Sequence, residues 1–314
     1  MKNPVRIIFM GTPDFSVPAL KALAARDNFE VSLVVTQPDR PQGRGKKLTP
    51  SPVKEAALDL GLKVFQPDKL NGKDNAALLA SHQPDFFVVA AYGQILSQEI
   101  LDIPKIYPVN IHASLLPKYR GASPIQAAVM NMDQASGVTT MIMAKAMDAG
   151  DILLSSNTPI HPEDTAQDLH DRLAAMGADL ILETIDQVLE GSLKPVPQDH
   201  SQATYVTMLK KSDGLIDWSR PAKEIRAHIN AMTPWPGAFT FLDNKRIKIF
   251  RAAISPENGE PGSLFRISDQ GIHVGTGDGT LIILELMGSS GKRLPADAFL
   301  RGHKIDLPGR FTAG

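Results

Sequence analysis

The chain contains no cysteine. That excludes disulfides, thiolate nucleophiles and thiolate metal sites, and it suits a reducing cytoplasm. The net charge is −1, so no overall field draws the protein to nucleic acid. No uninterrupted apolar run approaches the roughly 20 residues that a membrane-spanning helix needs. The opening Met-Lys-Asn-Pro-Val-Arg lacks the apolar core of a signal peptide, and a cytoplasmic protein is expected. The first glycine turn holds Gly11 alone rather than Gly-x-Gly-x-x-Gly, which argues against a nicotinamide enzyme. The eight histidines are scattered without His-x-x-x-His spacing, so no metal site is expected.

The chain has 314 residues, 43% hydrophobic and 21% charged, enough for about two domains. Arg6 to Met10 is a continuous apolar run that suits a strand buried on both faces. A helix over 17–25 with Ser16 as N-cap, then a strand over 31–36, completes a βαβ opening. Further buried strands are expected over 85–91 and 109–112, and a long helix over 165–189. Residues 191–205 read as a linker. Beyond it a helix over 222–232 precedes short strands with turns between them, which read as a small antiparallel barrel or sandwich. Charge divides unevenly: residues 1–205 carry 18 basic and 23 acidic side chains, residues 206–314 carry 15 and 11. The excess in the second part is either chance or a face turned to an anion.

Three stretches carry chemistry. In Pro-Val-Asn-Ile-His, alternation puts Asn110 and His112 on one face of a strand end, where open α/β sheets bind ligands. Taken alone, His112 is either a hydrogen-bonded structural residue or a catalyst. Asp148, between two apolar strands, is either a turn former or the partner of that histidine. Gln37 to Pro52 holds four prolines and two glycines and is expected to be a loop. Arg40, Arg44, Lys46 and Lys47 stand in it against Asp39 alone. It is either a solvated loop or an arm that orders on phosphates or an RNA backbone.

Asn110-Ile-His-Ala-Ser-Leu-Leu-Pro-Lys-Tyr-Arg-Gly followed by Asp148-Ala-Gly-Asp-Ile-Leu resembles the signature of the formyltransferases that use 10-formyltetrahydrofolate. Gly11-Thr-Pro-Asp-Phe, the Arg40–Lys47 loop, Ile216-Asp-Trp-Ser and Pro234-Trp-Pro-Gly narrow the resemblance to the methionyl-tRNA formyltransferase family. Nearly the whole chain is covered. Ala146-Met147 and Ala149 depart from the family's Gly-Leu and Thr, so a glycine free to take positive φ has become alanine.

The resemblance implies an α/β chain. Residues 1–190 would form a Rossmann-like, mostly parallel sheet domain, and residues 206–314 a small OB-like β-barrel that binds tRNA. It implies a monomer that transfers formyl from 10-formyltetrahydrofolate to initiator Met-tRNA, without a metal. Asn110 and His112 would be donors to the developing oxyanion, and Asp148 would pair with His112, fix its tautomer and relay a proton. Ser114, Leu115, Leu116 and Pro117 would wall the folate, and Tyr92, Gly93 and Ile95 would face its pterin. Arg40, Arg44, Lys46 and Lys47 would meet the acceptor end of the tRNA. The rival is a formyltransferase for a small amine, such as an amino-sugar nucleotide or a glycinamide ribonucleotide.

Overall fold

The computed structural model describes residues 4–42, 47–303 and 305–313, with the backbone alone for Gln42 and Lys47. The chain divides into two compact units. One comprises Met1–Gly121, Ser136–Thr158 and His170–Val206, and the other Ala122–Ala135, Pro159–Leu169 and Thr207–Gly314.

The first unit is built on β1 (Val5–Gly11), β2 (Phe29–Val35), β3 (Val64–Phe65), β4 (Phe86–Ala90), β5 (Tyr107–His112), β6 (Ala135–Ile142) and β7 (Ile152–Pro159). Their order is β7-β6-β5-β4-β1-β2-β3. β1 pairs in parallel with β2 and β4, β2 with β3, and β4 with β5, while β6 runs antiparallel to β5. This is the Rossmann-like arrangement, with the strand order reversing between β1 and β4. The apolar runs explain it: Ile7, Ile8, Phe9, Phe86 and Phe87 are wholly buried, as central strands covered on both faces require. Ile8, Met10, Leu33, Val35, Phe87 and Val89 alternate onto one face and pack with Leu79 and Tyr92.

Ser16 precedes the helix Val17–Ala24, but its side chain does not cap it. The hydroxyl donates instead to the Ala90 carbonyl at 2.6 Å and ties the helix start to the end of β4. Gln37 to Pro52 is not all loop. Arg40–Gln42 and Lys47–Thr49 pair as an antiparallel hairpin. Pro41 hides that pairing, because it lies within a two-stranded edge where a missing N–H is tolerated. The base of the hairpin is anchored: Gln66 and Lys54 bond Asp39 at 2.8 and 2.7 Å and hold its carboxyl below the usual range.

Residues 191–205, expected as a linker, lie within the first unit. Val196 bridges Ile152, and Tyr205–Val206 pairs in parallel with Arg120–Gly121. The polar composition that suggests a linker serves hydrogen bonds instead. Residues 122–135 and 159–169 belong with the second unit, where the helix Pro124–Met130 packs on the helix Ala222–Met232 and Arg226 pairs with Glu163 at 2.9 Å.

The second unit is a nearly closed antiparallel barrel of β8 (Ala238–Leu242), β9 (Lys245–Ser255), β10 (Ser263–Ser268), β11 (Gly271–Gly275), β12 (Thr280–Met287) and β13 (Gly309–Arg310). The order is β8-β9-β12-β11-β10-β13. Thr312, just past β13, bridges back to Phe241 on β8 and brings the two edges together. Trp218 secures this seam, stacking on Phe311 at 5.3 Å and donating to Thr240 at 3.0 Å. The helix Ala222–Met232 buries the stripe Ala222, Ile225, Ile229 and Met232, whose three- and four-residue spacing made it legible. Among the described residues, no helix is long and apolar enough to cross a membrane.

Candidate active site

β5 ends on His112, beside the end of β4. The register Val89↔Asn110 on one side, and Asn110↔Met141 and His112↔Thr139 on the other, leaves the strand no freedom to slip. Alternation then gives Asn110 and His112 a common face, as the spacing predicts. Asn110 is 9% exposed, and no described residue hydrogen-bonds its side-chain amide. Its N–H donors are thus available to a ligand.

His112 is held from its far side. Its Nε2 lies 2.9 Å from the Tyr119 carbonyl. A carbonyl only accepts, so Nε2 carries a proton, and Nδ1 is the basic atom of the neutral ring. Nδ1 faces Asp148 Oδ2 at 3.7 Å, too far for a direct hydrogen bond. The same Oδ2 accepts from the Gly121 N–H at 2.8 Å. The expected roles are therefore corrected in two respects: the Tyr119 carbonyl, not Asp148, fixes the tautomer, and the neutral His112 ring, its one N–H spent on that carbonyl, has no donor left for an oxyanion. The cause is local geometry. Tyr119 at φ 59° and Gly121 at φ 114° turn the chain after β5 so that one carbonyl meets the imidazole and one amide meets the carboxylate. Sequence reasoning missed both backbone groups. The Arg-Gly dipeptide at Gly121 was the available signal, because a Cβ there would also strike the Val206 carbonyl.

Asp148 adopts φ 50°, a left-handed conformation that aspartate tolerates better than most residues. Ala146, Met147 and Ala149 do not share it, so the alanine at 146 brings no left-handed strain. Gln198 donates to the carbonyls of Asp148 and Gly150 at 3.0 and 2.7 Å. Gly150 itself fits because a Cβ would strike the Ile142 carbonyl.

The remaining expected site residues divide. Ser114 is buried and donates to the Lys118 carbonyl at 2.6 Å. Leu116 is buried, Leu115 lies against Gly137, and Pro117 is half-buried. The side chains of Ser114 and Leu116 are thus turned inward and leave mainly backbone for a ligand. Tyr92 is 2% exposed within the apolar core, and burial pushes its phenol up to about 12. Its carbonyl accepts from Thr12 and Gln37 at 2.9 and 3.3 Å. Of that segment, Gly93 at φ 87° and Ile95 face outward. Arg40 is exposed, with one nitrogen 3.3 Å from Gln37. Arg44 and Lys46 lie outside the described residues, and so does the Lys47 side chain.

Residues 5–185 match the family described as formyl transferase, and residues 208–304 its C-terminal domain. The chain belongs to the formyl transferase family. It is 48% identical over 302 residues to the methionyl-tRNA formyltransferase of Geobacter sulfurreducens, covering 96% of this chain and 95% of that one. The methionyl-tRNA formyltransferase of Citrifermentans bemidjiense is 47% identical over 305 residues, covering 97% and 96%. Among solved formyl transferases, the sugar 3N-formyl transferase WlaRD, determined in the presence of dTDP and 5-N-formyl-THF, superposes with a TM-score of 0.66. At 22% identity, over 91% of this chain and 98% of that one, this likeness establishes the fold alone.

Proposed function

We propose that this formyl transferase moves the formyl group of 10-formyltetrahydrofolate onto the α-amine of methionyl-initiator tRNA, giving N-formylmethionyl-tRNA for translation initiation. The observation that carries the reading is the Asn110–His112–Asp148 cluster at the end of β5, in a chain similar over nearly its whole length to methionyl-tRNA formyltransferases.

The chemistry follows from the donors. The α-amine, with an ordinary pKa of about 7.7–8.0, is substantially neutral near pH 8 and attacks the formyl carbon. As the new C–N bond forms, the formyl oxygen gains charge, which the Asn110 N–H groups, free of any partner among the described residues, stabilise. One such donor is worth about 100- to 1000-fold in rate. The amine must lose a proton and the folate N10 must gain one as its C–N bond breaks. His112 Nδ1 accepts the first, directly or through water. The 3.7 Å gap to Asp148 lets the carboxylate stabilise the imidazolium without a direct bond to the neutral ring. Returning that proton to N10 closes the cycle, with no covalent enzyme intermediate. Gly93 and the exposed Ile95 offer an open backbone and an apolar surface to the pterin, and residues 114–117 a backbone edge.

The acceptor side rests on charge. The basic stretch with Arg40, Arg44, Lys46 and Lys47 would meet the acceptor end of the tRNA, and the barrel its stem. In the barrel Lys248 is lowered from its ordinary value, by burial first and then by Arg246 and Lys211. Such a cluster of cations favours phosphates and makes binding salt-dependent. A cytoplasmic setting fits a cysteine-free chain with this role, and the proposed form is a monomer. Labelled 10-formyltetrahydrofolate, offered Met-tRNA and small amines in parallel, tests the reading. Met-tRNA is expected to take the label with the higher kcat/KM. Preferred transfer to an amino-sugar nucleotide or glycinamide ribonucleotide would replace it. Arg44→Ala is expected to raise the tRNA KM or lower kcat while leaving folate binding intact, and an unchanged tRNA dependence would remove the basic stretch from the interface.

A further inference from the structure

The segment that reads as a linker carries a buried amide with every polar atom in use. Gln198 is 6% exposed. Its Oε1 accepts from Arg120 through Nε at 3.1 Å and a terminal nitrogen at 2.6 Å. A guanidinium only donates, so this contact fixes which end of the amide is oxygen. The Nε2 end donates to the Asp148 and Gly150 carbonyls, with the Met141 sulfur a longer contact at 3.9 Å.

Arg120 is unusual in its own right. It is 1% exposed, and among the described residues no carboxylate lies within ion-pair reach of it. Its remaining bonds go to the Tyr205 hydroxyl at 3.1 Å and His200 Nδ1 at 3.0 Å. Burying a charge among neutral acceptors is costly and has to be compensated by geometry. Here every neutral acceptor comes from residues 198–205. The backbone adds to this: Tyr119 N–H donates to Thr204 Oγ1 at 2.8 Å, and Arg120–Gly121 pairs with Tyr205–Val206.

One strap therefore holds both loops that complete the site. The first, 117–121, supplies the Tyr119 carbonyl to His112 and the Gly121 amide to Asp148. The second, 143–151, carries Asp148 itself. We propose that Gln198 is a positioning residue of the active site, oriented by Arg120, whose two donors fix the left-handed backbone of Asp148 and so the reach of its carboxylate. The inference rests on the assignment of Asp148 to the site made above.

Two substitutions separate this role from simple satisfaction of Arg120. Gln198→Ala removes both functions. Gln198→Glu keeps an acceptor for Arg120, removes the donors to the Asp148 loop and turns a carboxylate oxygen toward its carbonyls. Each is expected to lower single-turnover formyl transfer by about 10- to 100-fold, the usual effect of loosening a supporting contact, with little change in folate KM. In an Asp148→Ala background, Gln198→Ala is expected to cost less than about twofold more, because the group it positions is gone. Near-wild-type transfer by Gln198→Glu overturns the proposal, and so does an undiminished loss in the Asp148→Ala background. If Gln198→Ala does not fold, the Gln198→Glu arm decides. Wild-type-like transfer by Asp148→Ala would instead remove the site assignment on which the proposal depends.

Discussion

Asn110 and His112 reach the proposed site by one route and Asp148 by another. The first two ride on β5, whose register is set by hydrogen-bonded neighbours on both sides, so their common face follows from a spacing of two. Asp148 sits in a loop at φ 50°, and its position depends on an amide 27 residues before it and a side chain 50 residues after it. Secondary structure delivers two functional groups in a fixed relation at little local cost. The third needs a left-handed aspartate, a glycine that admits no Cβ and a buried amide to hold it. Substitutions on the strand should therefore remove chemistry and leave the fold, whereas substitutions around the loop should disturb both.

The largest effect is expected on the strand. Asn110→Ala should lower kcat by about 100- to 1000-fold while the melting temperature and folate KM stay close to wild type. Steady-state kinetics with thermal unfolding check this, and a parallel fall in stability would blur the distinction between the two routes. Next comes the support of the loop. Gly121→Ala places a side chain at φ 114° and into the Val206 carbonyl, and it displaces the amide that holds Asp148. The strain alone should cost about 1–3 kcal/mol of stability, and kcat should fall with it. A variant that melts like wild type would show that the turn has room to relax.

The smallest effect concerns the strand-end side without its chemistry. The Tyr92 hydroxyl is buried and, among the described residues, unpartnered. Tyr92→Phe should raise stability modestly, since such a group carries a desolvation penalty of about 1–3 kcal/mol. Burial raises the folded phenol to about 12 against an unfolded value of 10.0, so the folded state keeps its proton longer. This contribution is fully present below pH 10 and is lost as pH rises through 12. Urea unfolding at pH 8 and at alkaline pH should show a shallower decline in Tyr92→Phe than in wild type, and an equal decline would place the titration elsewhere.

The same division explains what could be read from the chain beforehand. Ile7 to Phe9, Asn110 with His112, and the Ala222–Met232 stripe announce themselves because one element's period determines which side chains share a face. The hairpin at Arg40–Thr49 was masked by the prolines and glycines that mark loops. β13 is two residues long, and its role in nearly closing the barrel appears only with Thr312 against Phe241. Gln198 and Arg120 carry no signal in the sequence, because what buries them is each other and the loops they join. Tyr119 and Gly121 contribute backbone atoms, which residue identity does not reveal.

The most direct test of the three-residue site is Asp148→Asn. It keeps an acceptor for the Gly121 amide and the backbone carbonyl for Gln198, and removes only the charge facing His112. Single-turnover transfer of labelled formyl from 10-formyltetrahydrofolate to Met-tRNA should fall by about 100-fold or more relative to wild type, within the range for loss of acid–base function. Transfer by Asp148→Asn within a few-fold of wild type would contradict the account, because the carboxylate would then have no part in moving the proton.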